Sequence, residues 1–151
     1  QVGELIVRGP QVMLGYWNDP EATANAIRNG WLYTGDLAVR HPDGLYSIVG
    51  RKKDLIITSG FNVYPSEVEA VLREAPGVRD AAVVGFADPQ RGEVVKAFVR
   101  MQDKATWDEE SLRSYCRSHL SKHKQPRIYQ QCIEDLPRNF LGKVVRRKLR
   151  E

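Results

Sequence analysis

The C-terminal stretch PRNFLGKVVRRKLR, residues 137–150, is rich in basic residues and contains no acidic one. Within it, Lys143 follows a glycine and precedes two valines, so it stands apart from the arginine cluster. A compact ammonium on a mobile, glycine-hinged loop can be swung onto a carboxylate or phosphate, where it neutralises charge that develops. The alternative is a frayed basic terminus that carries only charge.

Asp36 is a second candidate, because it follows a Thr–Gly pair in the segment YTGDL. A carboxylate held at a strand edge can accept hydrogen bonds from two adjacent hydroxyls, as on a ribose. The same pattern also fits an aspartate that caps its own turn, and taken alone the segment favours that simpler interpretation.

Two further segments could contact a ligand. In GRKKDLI, Arg51 offers a rigid fork of donors, although residues 52–54 also fit a solvated linker. In TSGFNVYP, Gly60 follows a predicted strand, and a glycine there lets a ligand or another chain approach the backbone. An ordinary loop that leads into a helix is the simpler interpretation of the second segment.

Other catalytic signatures are missing from the sequence. It contains no P-loop, no GxGxxG, no HExxH and no serine elbow, and its three histidines are scattered. Cys116 and Cys132 form no CxxC or metal-binding pattern, which favours reduced, partly buried thiols in a reducing, cytoplasmic compartment.

Composition excludes some classes and permits others. Apolar residues make up 42% and charged residues 28% of the 151-residue chain, which is typical of a folded globular protein. No apolar run approaches the roughly 18 residues that a membrane span needs. The net charge of +4 permits nucleic-acid binding, but the basic run lacks interleaved aromatics for base stacking. We therefore predict no nucleic-acid partner.

The elements that must position these residues fall into two parts. Residues 3–9 read as a strand and residues 19–30 as a short helix, and the HPDG turn joins two β-rich runs into a hairpin. FNVYP reads as a loop. Pro65 suits the first turn of a helix whose apolar stripe includes Val68 and Leu72.

Further elements follow along the chain. Residues 78–88 and 93–101 read as strands, and Thr106 with Glu109 forms a capping box for another helix. We predict an α+β fold, with a split near Gly50–Arg51. Residues 51–151 form a small C-terminal domain with a short β-sheet flanked by helices, and a mostly β segment, residues 1–50, precedes it.

Taken in order, four segments resemble the C-terminal part of adenylate-forming acyl-CoA synthetases. The segments are GELIVRGPQVMLGYWNDPEAT, GWLYTGDL, GRKKDLIITSGFNVYPSEVEAVL and LPRNFLGKVVRRKLR. The resemblance covers essentially the whole chain, and SGFNVYPSEVE is most similar to the long-chain fatty acid CoA ligases. It implies a reaction in which ATP activates a fatty acid as an acyl-adenylate, which CoA then converts to acyl-CoA. The alternatives are an aryl or other acyl specificity within the same superfamily and, less favoured, a basic nucleic-acid-binding module.

The resemblance also implies a domain organisation. Residues 1–50 would be the incomplete end of the large N-terminal adenylation domain, and residues 51–151 the C-terminal domain that rotates between the two half-reactions. The phosphate loop, the Mg²⁺ ligand and the acyl pocket of the family lie upstream, so the fragment alone is expected to be inactive. Expected partners are the missing N-terminal domain, ATP or AMP, CoA and fatty acid. Oligomerisation of the fragment and peripheral membrane association of the parent stay open.

Individual residues acquire roles by the same resemblance. Asp36 is expected to bind the ribose hydroxyls of ATP or AMP, and Arg51 to hold the same ribose. Lys53 stands at the hinge, where the family usually has Asp or Lys. Lys143 is expected to be the catalytic lysine of the adenylation half-reaction, and it swings away in the second half.

The CoA site is implied in the same way. Gly60 would line the pantetheine tunnel in the thioester-forming pose, with Phe61 and Asn62 beside it. Phe140 is a departure, because many relatives carry threonine there, but the Gly–Lys pair that follows is intact.

Overall fold

One long central strand organises the first third of the chain in this computed structural model, which describes residues 1–150. This part is a compact unit, Gln1–Lys53, and the second unit is Asp54–Glu151. The elements of the first unit are β1 (Val2–Val7), α1 (Pro20–Ala26), β2 (Ile27–Arg28), β3 (Trp31–Arg40) and β4 (Tyr46–Arg51). Strand β3 pairs antiparallel with each of the other three strands.

The predicted hairpin is confirmed as β3–β4, but the predicted helix over residues 19–30 is too long. Helix α1 begins at Pro20, and the side chain of Asp19 caps it by accepting a hydrogen bond from the Ala22 N–H at 2.8 Å. From Ile27 the chain pairs with β3 instead. Asn29 and Gly30 both have positive φ, 51° and 77°, as a two-residue type I′ hairpin turn requires.

The second unit is a five-stranded mixed sheet with helices. A 3₁₀ turn over Lys52–Asp54 leads into it. Its elements are β5 (Ile56–Thr58), β6 (Phe61–Val63), α2 (Pro65–Glu74), β7 (Val78–Asp88), β8 (Gly92–Met101), α3 (Glu109–His119), β9 (Ile128–Cys132) and α4 (Arg147–Arg150). The strand order is β6-β5-β8-β7, and β9 lies parallel to β8. The predicted α+β class is confirmed, and β7 is an edge strand.

One face of this sheet carries the main core. Val68 and Leu72 of α2 and Cys116 of α3 are fully buried with Val83 and Val99 of the sheet. The predicted stripe on α2 is therefore confirmed, with Pro65 in its first turn. Truncation of a buried leucine such as Leu72 to alanine typically costs about 2–5 kcal/mol.

The opposite face of the sheet is covered by the C-terminal segment. Residues alternate between the two faces along a strand, so Ala82 and Val84 point away from the main core. They are buried in a second cluster with Phe98 and Leu136, and Val144 and Leu149 pack against it. This packing fixes the segment that carries Lys143 onto the outer face of β7 and β8.

Two local predictions were wrong. The FNVYP segment was predicted as a loop, but Phe61–Val63 forms β6 and pairs with β5. The capping box at Thr106 was also wrong, because α3 begins at Glu109 and its N-cap is Asp108, which accepts from the Ser111 N–H at 3.1 Å. Within residues 1–150, no helix is long and apolar enough to cross a membrane.

Candidate functional site

Asp36 and Arg51 occupy directly opposite positions on β3 and β4. The Arg51 Nε lies 2.8 Å from Asp36 Oδ1, and a second guanidinium nitrogen donates to the Thr34 carbonyl at 3.3 Å. The two residues that the sequence assigned to one ribose are therefore brought together. The Asp36 side chain keeps 27% of its surface exposed, which leaves carboxylate oxygen accessible to a hydroxyl donor.

The backbone around Asp36 is organised by Thr34. The Thr34 hydroxyl donates to the Leu5 carbonyl at 2.7 Å and accepts from the Asp36 N–H at 3.1 Å. Gly35, between them, has a φ of +72°, a conformation that favours glycine. The turn is thus capped by the threonine hydroxyl, and the Asp36 carboxylate is directed to Arg51.

The predicted hinge residue, Lys53, lies between two anchored neighbours. Lys52 donates to Glu4 of the first unit at 2.7 Å, and this hydrogen bond lowers the pKa of the Glu4 carboxyl. Asp54 belongs to the second unit, where it lies 3.8 Å from Arg146 and 3.6 Å from Arg150. The chain therefore changes from one unit to the other across the bond between Lys53 and Asp54, three residues beyond the predicted boundary at Gly50–Arg51.

Gly60 occupies the turn of the β5–β6 hairpin. Ser59 and Gly60 have φ of 48° and 81°, so the turn is type I′. A Cβ added at Gly60 would meet no atom within 4 Å, so backbone conformation, and not crowding within this chain, requires the glycine. Beside the turn, Phe61 is 55% exposed and stacks on His123 with ring centroids 4.8 Å apart. Asn62 is exposed on the same short strand.

Lys143 lies in a closed turn and not in a frayed terminus. The Asn139 side-chain Oδ1 accepts hydrogen bonds from the backbone N–H groups of Leu141 at 3.0 Å and Lys143 at 2.9 Å. The Asn139 N–H donates to the Lys143 carbonyl at 2.9 Å, and the Gly142 N–H donates to the Asn139 carbonyl at 2.9 Å. The backbone around Lys143 is therefore held by four hydrogen bonds in a turn whose Gly142 has a φ of +76°, and the mobility of this loop stays a prediction.

The Lys143 side chain extends from this turn and is accessible to a ligand. Lys143 is exposed, and among residues 1–150 its ammonium has no hydrogen-bond or ion-pair partner. Phe140, at the tip of the same turn, is 95% exposed. An unpaired cation on a well-defined backbone can be offered to an anionic ligand without first breaking an internal ion pair.

Two arginines of the same basic stretch are bound within the second unit and do not form a frayed terminus. Arg146 donates to the buried carboxylate of Glu69 at 2.7 Å, and Arg138 donates to Asp80. Sequence reasoning missed Glu69, Asp80 and the role of Asn139. A signal was present for Glu69, since an acid beside Val68 on the apolar side of an amphipathic helix is buried only when it has a partner.

Within residues 1–150, no group of three or more His, Cys, Asp or Glu side chains is placed to hold a metal ion. The residues singled out from the sequence are distributed over three places. Asp36 and Arg51 lie on the first unit, whereas Gly60 and Lys143 lie on different elements of the second unit. Within the described residues, the arrangement offers an Asp36–Arg51 ion pair, an exposed hairpin turn and an exposed lysine without an ion-pair partner.

Comparison with known proteins gives these places a context. A family model described as AMP-binding enzyme C-terminal domain matches residues 67–143. A long-chain-fatty-acid–CoA ligase of Escherichia coli O157:H7 is 50% identical over 151 residues, which are 100% of this chain and 27% of that enzyme. A 2-succinylbenzoate–CoA ligase of Geobacillus kaustophilus is 48% identical over 99% of this chain and 30% of that enzyme. The chain thus spans less than a third of these relatives.

Solved structures also match this chain over about a third of their own length. ATP-bound MatB from Rhodopseudomonas palustris superposes with a TM-score of 0.93 and 41% identity, over 99% of this chain and 30% of that one. The o-succinylbenzoate CoA synthetase MenE from Bacillus subtilis, in complex with the acyl-adenylate intermediate OSB-AMP, superposes with a TM-score of 0.91 and 37% identity. That match covers 100% of this chain and 31% of MenE.

Proposed function

Because the chain belongs to the family of AMP-binding enzyme C-terminal domains, we propose that it is the C-terminal part of an ATP-dependent carboxylate–CoA ligase that acts on long-chain fatty acids. Relatives that are 50% and 47% identical carry the name long-chain-fatty-acid–CoA ligase, which supports this acyl class. The relative named for 2-succinylbenzoate, at 48% identity, supports an aryl-type substrate as the alternative. The phosphate loop, the Mg²⁺ ligand and the acyl pocket would belong to the rest of such an enzyme.

The proposed reaction has two halves. A carboxylate oxygen of the fatty acid attacks the α-phosphorus of ATP, the bond to pyrophosphate breaks, and an acyl-adenylate forms. The sulfur of the CoA thiolate then attacks the acyl carbon, and AMP leaves with the electron pair of the broken C–O bond. In the first half an anion attacks an anion, so a cation placed between them lowers the barrier.

We assign that cation to Lys143. The geometry of its turn carries the assignment, because the ammonium is exposed and unpaired within residues 1–150 while four hydrogen bonds fix the backbone beneath it. Arg138 and Arg146 are poor candidates for the same role, since each already donates to a carboxylate of its own unit.

Asp36 and Arg51 would hold the nucleotide. In this proposal the Asp36 carboxylate accepts hydrogen bonds from the two ribose hydroxyls of ATP or AMP, while Arg51 holds the carboxylate in place. The 2.8 Å contact between the two side chains supports this pairing of roles. An additional donor from Arg51 to the ribose is compatible with its exposure of 52%.

Gly60, Phe61 and Asn62 would form one wall of the CoA pantetheine tunnel during the second half-reaction. The open space around the Gly60 Cα supports close approach of a thin ligand. Rotation about Lys53 would exchange the Lys143 turn for the Gly60 turn at one active site, and the anchoring of Lys52 and Asp54 in different units supports Lys53 as the pivot.

A cytoplasmic location completes the proposal and is supported by cysteines that are free and not joined in a disulfide. Peripheral association of the parent enzyme with membranes would bring it to its fatty acid, and the rest of the enzyme would be the partner of both units.

The deciding experiment replaces Lys143 with alanine in the full-length enzyme. Acyl-dependent ATP–pyrophosphate exchange measures the first half, and CoA transfer from supplied acyl-adenylate measures the second. We expect the first to fall by at least about 100-fold and the second to stay within about twofold of wild type. Lys148→Ala is the matched control, because Lys148 is another exposed lysine of the same basic run. Equal losses in both halves, or none, would reject the role assigned to Lys143.

A panel of carboxylates of graded chain length, assayed with the same enzyme, tests the acyl class. Highest kcat/KM with long-chain fatty acids supports the proposal. Preference for an aromatic carboxylate would establish the alternative.

A further inference from the structure

The turn that carries Lys143 begins at an arginine bound to an acid on the sheet. Arg138 donates to Asp80 and, through another nitrogen, to the Gly142 carbonyl at 2.6 Å. Arg138 also forms a β-bridge with Val144 across the base of the turn. One guanidinium therefore ties the residue just before Lys143 to the start of β7.

The same turn ends at a second arginine bound to a second acid. Arg146 donates to Glu69 Oε1 at 2.7 Å and to the Val83 carbonyl at 3.3 Å. The Glu69 side chain is only 6% exposed. A hydrogen-bonded ion pair with so little access to water is screened weakly by solvent, so this end of the turn is held more firmly than a surface pair would hold it.

Both acids are themselves fixed to the edge of β7. Glu69 Oε1 accepts from the Val83 N–H at 2.9 Å, and Asp80 Oδ1 accepts from the Ala81 N–H at 2.9 Å. Arg73 donates to the Ala81 carbonyl at 2.9 Å and lies 3.2 Å from Asp80 and 3.7 Å from Glu69. Both carboxylates are therefore held at the edge of β7. The arginines that bind them are held at the same edge.

Apolar contacts also hold the C-terminal segment on the sheet. Val144 and Leu149 already attach the C-terminal segment to the outer face of the sheet. Apolar packing is tolerant of small sliding and rotation, whereas hydrogen-bonded pairs fix distance and direction. Two such pairs, one at each end of a turn, define where its tip points.

We propose that Glu69 and Asp80 are positioning residues for Lys143, because each holds one end of the Lys143 turn through an arginine, Arg146 and Arg138 respectively. The inference rests on the proposed function for its catalytic consequence. Neither acid touches a substrate; each acts by fixing where the ammonium is presented. Their loss should impair the half-reaction that uses Lys143 and spare the one that does not.

The first test uses the 151-residue chain and needs no catalysis. Asp80→Asn and Glu69→Gln are compared with the wild type by hydrogen–deuterium exchange. We expect peptides that span residues 138–146 to exchange at least about tenfold faster, and peptides of α3 to accelerate by no more than the roughly fivefold that a loss of about 1 kcal/mol in stability causes. Glu67→Gln is the matched control, since Glu67 lies on the same helix and pairs with Lys124 at 2.6 Å, away from the turn. An unaltered exchange rate over 138–146 in Asp80→Asn overturns the proposal.

Glu69→Gln leaves Arg146 without its buried partner and can unfold the unit. Asp80→Asn is the milder variant, because the Asp80 side chain is 19% exposed. If Glu69→Gln does not fold, Asp80→Asn alone tests the proposal. Acceleration by the same factor throughout the second unit, with no larger effect over residues 138–146, would mean that Asp80 is merely structural and would also overturn the proposal.

The second test follows the two half-reactions in the full-length enzyme. Displacement of a catalytic group by a fraction of an ångström to one ångström costs about tenfold to 100-fold, so Asp80→Asn should lower acyl-dependent ATP–pyrophosphate exchange by that factor. CoA transfer from supplied acyl-adenylate should stay within about twofold. Arg138→Lys, which keeps a cation opposite Asp80, should lose less pyrophosphate exchange than Arg138→Ala.

The outcomes separate this proposal from the function on which it rests. If Lys143→Ala lowers pyrophosphate exchange and Asp80→Asn does not, the positioning role is wrong and the function stands. If Lys143→Ala affects neither half, the assigned function fails, and the exchange measurement on the isolated chain still decides whether the acids hold the turn.

Discussion

The Nε of Arg51 lies 2.8 Å from the Oδ1 of Asp36, and the two residues face each other across the β3–β4 ladder. Cross-strand neighbours on one face of a sheet are held at short distance by the backbone register. The register, and not a flexible loop, therefore determines the distance between these two side chains. A ligand that engages Asp36 meets a carboxylate whose direction is already set.

Replacement of Asp36 with asparagine tests this arrangement. The amide keeps the shape but loses the charge and half of the acceptor capacity. A hydrogen bond to a charged group is worth about 1.5–3 kcal/mol, so the KM for ATP should rise by roughly tenfold to 100-fold. Steady-state kinetics of the full-length enzyme measure the change, with Glu21→Gln on α1 as the control. A KM for ATP equal to that of the control would show that Asp36 does not bind the nucleotide.

Gly60→Ala separates backbone strain from obstruction of the CoA path. Gly60 and Gly44 have φ of 81° and 88°, and an added Cβ would meet nothing within 4 Å at either position. Each alanine substitution should therefore cost about 1–2 kcal/mol of stability, measured by urea unfolding. Only Gly60→Ala should slow CoA transfer from supplied acyl-adenylate in the full-length enzyme. If Gly44→Ala slows it equally, the effect at Gly60 is one of stability alone.

Asn139→Ala removes the acceptor that shapes the Lys143 turn. The N–H groups of Leu141 and Lys143 lose their bond to Asn139 Oδ1, so their amide exchange should accelerate by about tenfold or more. Asn139→Asp retains an acceptor oxygen and should restore most of the protection. Residue-resolved exchange by NMR distinguishes the two variants. Equal protection in wild type and Asn139→Ala would show that main-chain bonds alone hold the turn.

Asp80 should make the stability of the chain sensitive to acid. Burial would raise the pKa of its carboxyl, but hydrogen bonds from Arg138, Arg73 and the Ala81 N–H outweigh it and leave the pKa below the usual 3.8. A group with a lower pKa in the folded state stabilises that state above its unfolded pKa. The contribution is lost as the pH falls from about 4 through the folded value.

Asp80→Asn should therefore reduce the free energy of unfolding by roughly 1 kcal/mol at neutral pH. It should also flatten the decline of stability below about pH 4. Urea unfolding over a pH series measures both effects, and Asp103→Asn, at an exposed position, is the control. A variant that declines as steeply with acid as the wild type would contradict the lowered pKa.

The two cysteines should be unreactive in the folded chain. Burial raises the pKa of the Cys116 thiol more than its hydrogen bond with Tyr129 lowers it. Burial also raises the pKa of Cys132, despite the nearby charges of Arg100 and Lys96. Since the thiolate is the reactive form, iodoacetamide at neutral pH should modify Cys116 only after unfolding and Cys132 at least about tenfold more slowly than a free thiol. Rapid modification of folded Cys116 would contradict its burial.

The fold was predictable where local chemistry and periodicity agree. Pro65 and the stripe through Val68 and Leu72 located α2, and the HPDG turn located the β3–β4 hairpin. The predictions failed where tertiary pairing overrode local preference. Phe61–Val63 became a strand because β5 lay beside it, and Ile27–Arg28 left the helix to pair with β3.

The same limit applies to the site. Lys143 and Asp36 could be singled out because each follows a glycine in a short, unusual segment, and Gly60 because it is a glycine that follows a predicted strand. Glu69 and Asp80 could not be linked to Arg146 and Arg138, because more than 50 residues separate the partners and no spacing rule spans such a gap. Only the folded edge of β7 brings them together.

Backbone groups along a sheet edge are a template on which a foreign chain can add a strand. On β7 several of these groups are occupied by side chains, because Glu69 accepts from the Val83 N–H, Arg146 donates to the Val83 carbonyl, and Arg73 donates to the Ala81 carbonyl. An approaching strand would have to break these bonds before it could pair. Variants that lack Glu69 or Arg146 should therefore aggregate more readily, in addition to loosening the Lys143 turn. The same residues thus protect the edge of β7 from intermolecular pairing and fix the position of the Lys143 ammonium.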